Sequence, residues 1–303
     1  MRIGFVSAAA GLATTTLDEI VAEVRRVESE GFAFYSVPSI FSLDAIAMLT
    51  VAGRETSRIE LITAVVPTSP RHPAAMAQQA LTAQAASRGR FTLGIGLSHK
   101  AVIEDMFGLS YARPARQMRE YLSVLAPLLE GKPARFTGDL YQVNAALDVA
   151  GAEAVPVLVA ALGPRMLEVA GELADGTATW MTGLATLSNH TVPILRRAAE
   201  KAGRRVPRVL SAVPFALVND VENARRVCNE VFSIYGRLPS YRAMLDREGA
   251  AHPGDLAVVG DEAALLRGLQ RYREAGVTDL APSVFEADEG AAARTLAFLQ
   301  SQL

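Results

Sequence analysis

An alternation runs along this chain and limits what it can fold into. Short apolar runs recur, and between them lie segments with helical spacing of apolar residues. Arg2 to Ser7 reads as a strand. Thr16-Leu-Asp-Glu19 then forms a capping box, with apolar Ile20, Val21, Val24 and Val27 at helical spacing and Gly31 closing the helix. Phe34 to Val37 is strand, Asp44 to Gly53 helix, and Ile59 to Val66 strand. Pro73 opens a long Ala/Gln-rich helix to Ser87, which suits proline in a first helical turn. Strand follows at Arg90 to Gly96. The second half repeats the theme. Val155 to Ala160, Gly176 to Trp180, Arg208 to Val218 and Thr278 to Pro282 read as strands. Pro164 to Leu173, Thr186 to Ala202, Asp261 to Ala275 and Glu289 to Leu303 read as helices, and Asn223 to Asp246 as one or two more.

Strands apolar on both faces, each followed by a helix, specify a parallel sheet covered by helices. Nearly eight such units favour a closed α/β (β/α)8 barrel over an open doubly wound sheet. The dinucleotide glycine fingerprint is also absent, because Gly94-Ile-Gly96 lacks its third glycine. A helix at Arg113 to Gly131 and a hairpin around Thr137-Gly138-Asp139 exceed a minimal barrel, and both are expected as an insertion after the fourth strand. At 303 residues the length alone would allow two domains. With no internal repeat, linker or low-complexity tract, residues 1–303 are read as one domain, a size that single α/β barrels reach.

Composition narrows the function. Half of the residues are hydrophobic and the formal charge is −2, with a pI near 6.1. No cationic field for nucleic acid or an anionic membrane is expected. The single cysteine, Cys228, forbids an internal disulfide and fits a reducing compartment. No signal-peptide pattern opens the chain and no segment approaches the roughly 18 uninterrupted apolar residues of a membrane span. A soluble, cytoplasmic protein is the expectation.

In a parallel barrel the chemistry sits at the carboxyl ends of the strands. The fifth strand is followed by Ala160-Ala-Leu-Gly-Pro-Arg165, a turn whose free helix-start amides, with Arg165 nearby, make a ready anion site. After the fourth strand comes Gly94-Ile-Gly-Leu-Ser-His-Lys100, where two glycines would let a ligand approach the backbone and Ser98 and His99 would face the mouth. Three prolines between Val66 and Pro73 stiffen the loop after the third strand, close to His72. Asp44 fits a helix N-cap better than a catalytic carboxylate. No metal-ligand spacing, no nucleophile elbow and no exposed thiol is present. An apolar mouth with an anion site and few ionisable groups is what a cofactor-dependent enzyme requires of its protein.

These residues also carry a resemblance. Ile59 to Pro73 with Ala77-Gln-Gln79, Gly89 to His99, Val155 to Pro164, Asp175-Gly176, Trp180 to Gly183, and Val258 to Asp261 through Ala275 to Asp279 resemble the bacterial luciferase-like oxidoreductases, in order over nearly the whole chain. The similarity is nearest to the coenzyme F420-dependent branch, which includes methylenetetrahydromethanopterin reductase-like proteins. It implies a TIM barrel, a homodimer, and a cofactor across the strand ends. F420 is the implied cofactor, with FMN as the alternative. The implied activity is F420-dependent hydride transfer to or from a small organic molecule. An FMN-dependent monooxygenase and an inactive flavin-binding barrel are the rivals. The resemblance places a bulge with a non-prolyl cis peptide at Thr63-Ala64. It places the phosphate clamp on Ala161, Leu162 and Gly163, with Arg165 beside it, and ring contacts on Ser39, Leu97, Ser98, Met181 and Thr182. His99 is the candidate proton donor or acceptor, and no metal is implied. Sugar-phosphate dehydrogenases of this kind carry an Asp-His pair after the second strand. Here that stretch reads Pro38-Ser-Ile-Phe41, so their mechanism does not transfer.

Overall fold

The structure is a computed structural model that describes residues 1–7 and 11–303. Its first barrel strand comes in two halves, β1 (Arg2–Ile3) and β2 (Phe5–Val6), broken at Gly4. A Cβ on Gly4 would lie 2.3 Å from the Phe34 ring, so the break leaves room for an interior aromatic. There follow α1 (Leu17–Ser29), β3 (Phe34–Val37), α2 (Ala45–Glu55), β4 (Glu60–Thr63) with its continuation β5 (Val66–Pro67), α3 (Pro73–Ala86) and β6 (Phe91–Gly96). Next are α4 (Pro114–Leu129), the hairpin β7 (Ala134–Thr137) and β8 (Gln142–Ala145), β9 (Val157–Ala160), α5 (Pro164–Leu173) and β10 (Gly176–Trp180). A short α6 (Leu184–Thr186) runs through a π turn, Leu187–Thr191, into α7 (Val192–Lys201). The chain ends with β11 (Arg208–Leu217), α8 (Val221–Val231), α9 (Pro239–Glu248), β12 (Val258–Gly260), α10 (Glu262–Glu274), β13 (Asp279–Val284) and α11 (Ala291–Gln300).

The strand order is β1, β13, β11, β10, β9, β6, β4, β3, β2, and every pairing along it is parallel. The two ends of that path are the halves of one strand, so the sheet closes into the expected eight-stranded barrel. Phe34, Ile62, Leu158, Ala178, Leu210, Ala212 and Ala281 fill its interior. A larger apolar layer lies between the strands and the surrounding helices. The amino-terminal end is closed by charge. Arg2, Glu60, Arg208 and Asp279 each begin a strand, and Glu60 lies 2.7 Å from Arg2 and 2.8 Å from Arg208. Asp279 pairs with both arginines, and Thr92 donates to Glu60 at 2.5 Å.

Local signals are realised as written. Thr16 and Glu19 form the capping box, and Asp44 caps α2 by accepting from Ala47 N while pairing with Arg71. One expectation changes. The helix assigned to an insertion, α4, packs between α3 and α5 and is therefore the barrel's own fourth helix, so the extra elements there are a π turn at Val102–Met106 and the β7–β8 hairpin. The segment after the seventh strand is a second excursion. Between β11 and β12 it comprises α8, a 3₁₀ turn at Ser233–Gly236, α9, and a second 3₁₀ turn at Pro253–Leu256. Pro239 restarts the helix because proline cannot continue one from within but suits its first turn.

Candidate active site

The mouth of the barrel is assembled from the loops at the carboxyl ends of the strands. On the third strand, Thr63 remains paired opposite Val37. Its side chain is fully buried, with Oγ1 2.8 Å from both the carbonyl and the amide of Gly94. The bulge follows Thr63, and its cis peptide lies between Ala64 and Val65, one bond later than the expected Thr63-Ala64. Thr63 is pinned by these contacts and Ala64 N donates to Val37 O, so the ladder is interrupted only beyond Ala64. Ser39 lies alongside, its amide donating to Val65 O at 3.4 Å.

The glycines of the fourth strand serve this bulge. A Cβ on Gly94 would sit 1.8 Å from Thr63 O, and one on Gly96 would sit 2.7 Å from a Val65 methyl. Their open space is already occupied by the neighbouring strand, so the expectation that they admit a ligand is replaced by a packing role. Leu97 beyond them is buried. Ser98 is left-handed at φ 61°, a conformation that costs a side-chain-bearing residue energy and collects at functional sites. The Tyr111 hydroxyl holds this turn by donating to Ser98 O at 3.2 Å. His99 is half-buried, its ring 5.9 Å from that of Tyr241, and burial holds its pKa below the usual histidine value.

After the fifth strand, Ala161 is buried, Leu162 is half-buried, and Gly163 and Arg165 are exposed. Gly163 is the N-cap of α5 and supplies no side-chain cap, while Met166 N and Leu167 N return to its carbonyl at 3.1 and 3.0 Å. The Leu162 carbonyl accepts from His190 Nε2 at 2.9 Å. His190 was hidden in the sequence inside a predicted helix, and the π turn is what aims it back at the fifth strand. At the sixth strand Met181 is buried and left-handed at φ 49°, and buried Thr182 donates to Trp180 O at 3.2 Å. The adjoining Gly183 has no room for a side chain, because Glu248 of α9 lies against it and accepts from Ala185 N, Thr186 N and Thr186 Oγ1, each at 2.9 Å.

Sequence reading missed one side of this mouth altogether. Phe285 follows the eighth strand, and its ring lies 6.4 Å from Phe232. Phe232 and Tyr235 lie 5.4 and 5.6 Å from Trp180 at the end of the sixth strand. Tyr235 then meets Tyr241 at 5.0 Å, and Tyr241 meets His99. Three of these rings come from the excursion after the seventh strand, which periodicity marked only as helix. A cavity of about 550 Å³ also opens on the flank between α9 and α10, lined in part by Arg225, Arg267 and Arg271. The mouth residues His99, Ser98 and Gly163 take no part in it. Among the described residues, no group of three or more His, Cys, Asp and Glu could hold a metal ion. No helix among them is long and apolar enough to cross a membrane.

The family model described as luciferase-like monooxygenase matches residues 1–279. The chain belongs to that family. Within it, an uncharacterised protein of Mycobacterium tuberculosis is 30% identical over 223 residues, 69% of this chain and 66% of its own length. The 5,10-methylenetetrahydromethanopterin reductase of Archaeoglobus fulgidus is 32% identical over 156 residues, half of this chain and 46% of the reductase. This chain thus spans just under two thirds of the first relative and about half of the second. The structure of the coenzyme F420-dependent tetrahydromethanopterin reductase of Methanopyrus kandleri superposes with a TM-score of 0.82 at 21% identity, covering 100% of this chain and 98% of that one. The shared fold is that of the luciferase-like family.

Proposed function

We propose that this protein is an F420-dependent oxidoreductase acting on a small organic substrate. The observation that carries the reading is the uncapped start of α5. Gly163 has φ −80° and ψ 155°, values open to any residue, and a Cβ there would meet nothing within 4 Å. Neither backbone nor packing therefore requires glycine at this place. Its missing side chain leaves free space before the turn, where the amides of Leu162, Gly163 and Arg165 have no backbone partner while those of Met166 and Leu167 return to Gly163 O, and unpaired amides at a helix start are how a chain receives a phosphate. The Methanopyrus structure, named a coenzyme F420-dependent reductase, supports F420 as the group received.

Ala161, Leu162 and Gly163 would hold its phosphate through backbone, with Arg165 adding charge. Among the described residues Arg165 has no ion pair that would compete for it. Ser39, Ala64, Leu97, Ser98, Met181 and Thr182 would flank the ring, and Thr63 would act through its backbone because its hydroxyl is already bonded. When bound, the deazaflavin supplies hydride exchange at a ring carbon. His99 handles the accompanying proton. Burial favours its uncharged form, so near neutral pH one ring nitrogen is free to take a proton from a substrate hydroxyl. In the reverse direction the same nitrogen returns it. We also propose that the enzyme is a homodimer. A sedimentation run at micromolar protein that finds only the 32.2 kDa monomer would overturn this.

Titration of the purified protein with F420 and, separately, with FMN tests the cofactor. The expected result is saturable quenching of F420 fluorescence and none of FMN. Binding of FMN alone would replace this reading with that of a flavin monooxygenase.

A further inference from the structure

The aromatic side of the mouth has a consequence for the substrate. We propose that the enzyme takes a neutral, ring-bearing substrate, seated against the wall of Phe285, Phe232, Trp180, Tyr235 and Tyr241 in front of His99. This rests on the proposed function only in treating the mouth as the place of reaction.

Two sets of observations support it. The first is the wall itself. Its rings meet in tilted or edge-to-face pairs at 5.0 to 6.4 Å and join the ends of the fourth, sixth and eighth strands. Aromatic surfaces of this kind bind other rings through large apolar contact and edge-to-face geometry. After the second strand, at the same carboxyl end of the barrel, Ile40 and Phe41 stand 51% and 60% exposed, and Phe41 meets Phe107 at 6.4 Å.

The second is that nearby charges are engaged elsewhere. Arg242 binds Asp246 and the carbonyls of Ala250 and Ala251. Glu248 caps α6, Asp255 accepts from Ala251 N and His252 N, and Arg225 donates to Gly254 O. Lys100, next to His99, pairs with Glu104 at 3.6 Å. Burial pushes the Tyr235 and Tyr241 hydroxyls up and His99 down, so all three stay uncharged near neutral pH. A carboxylate or phosphate placed against this wall would lose its hydration and gain no counter-charge. Three arginines of the excursion, Arg225, Arg237 and Arg247, have no ion pair among the described residues; Arg225 donates to Gly254 O, and exposed Arg237, two residues after Tyr235 of the wall, is the cation that an anionic substrate seated there would reach first along the chain.

Trp180 is the sole tryptophan of the chain, so intrinsic fluorescence reports on this wall directly. Benzyl alcohol and benzoate share a ring and differ in charge, which makes them the probes. Benzyl alcohol is expected to shift Trp180 emission saturably, and benzoate to bind at least about tenfold more weakly. Tyr241→Ala should weaken benzyl alcohol by about tenfold, Tyr241→Phe should keep it, and Arg237→Gln should leave it unchanged. Unaltered F420 affinity in Tyr241→Ala certifies that the variant is folded. Benzoate binding as tightly as benzyl alcohol, loss of ligand on Arg237→Gln, or indifference to Tyr241→Ala would overturn the proposal. The two readings fail separately. Benzyl alcohol binding without F420 binding sinks the cofactor, whereas F420 binding without benzyl alcohol binding sinks the wall.

Discussion

His99 is the residue on which the proposed chemistry turns, and its environment fixes how it should respond to pH. Burial penalises the imidazolium, so the folded-state pKa lies below the unfolded value of about 6.5. The stability it contributes is therefore complete above that value and is lost as pH falls through the folded one. Its competence as a base runs the same way. Plotted against pH, kcat/KM should hold below about 6.5 before an acid limb sets in. His99→Asn should leave F420 affinity intact, lower turnover at least about tenfold, and remove that limb. If rate and profile both survive, the proton travels through water or through the substrate itself. Tyr241, from the excursion after the seventh strand, lies with its ring 5.9 Å from that of His99.

At the scale of elements, two glycines two loops apart do opposite work. Gly94 in β6 is required by its neighbour, since a Cβ would overlap Thr63 O in β4. Gly94→Ala should cost about 1–3 kcal/mol by overpacking, read as a lower midpoint in urea, with cofactor binding impaired only through the displaced bulge. Gly163 at the start of α5 is required by nothing within the chain. Gly163→Val should cost about 1 kcal/mol of stability or less, as an inferior N-cap. F420 binding, in contrast, should weaken by about 1–3 kcal/mol, because a branched side chain stands before the amides. Equal F420 affinity in wild type and Gly163→Val would retire the clamp. Both glycines stand at the carboxyl end of a strand, and spacing alone assigned both to the ligand. Only contact distances separate them. The same holds for α4, whose sequence reads as a helix wherever it is placed. Its role as a member of the ring follows from packing against α3 and α5.

At the scale of the whole molecule, Arg2, Glu60, Arg208 and Asp279 close the amino-terminal end of the barrel with charge. Burial by itself would raise Glu60 and Asp279, but Arg208 and Arg2, with hydrogen bonds from Thr92 and Thr278, more than reverse this and hold both carboxyls below their ordinary values. Folded-state values below the unfolded ones, about 4.3 and 3.9, give stability that is present above those values and lost as pH falls through the lower ones. Acid should therefore open the barrel from this end, with Tm dropping most steeply below about pH 4. Asp279→Asn should cost about 3 kcal/mol, the low end for removing one partner of a buried pair, because Arg208 keeps Glu60. It should also flatten that acid slope. A Tm against pH curve that is the same in wild type and variant would show that closure does not depend on these charges.

What the sequence determined by itself is local. Caps at Thr16 and Asp44, proline starts at Pro73 and Pro164, and the alternation of apolar runs all depend on residues within a turn or a strand of one another. They specified the strands, the helices and the uncapped turn before α5. The tertiary structure decided the rest. Closure joins β1 to β13 across almost the full length of the chain, and His99 meets Tyr241 from an excursion whose periodicity says only helix. The break beyond Ala64 falls where it does because Thr63 is held by Gly94, and His190 reaches Leu162 only through a π turn. Periodicity records which side of an element is apolar, whereas a site is made of side chains from separate loops, and their meeting depends on how the elements pack around the closed sheet.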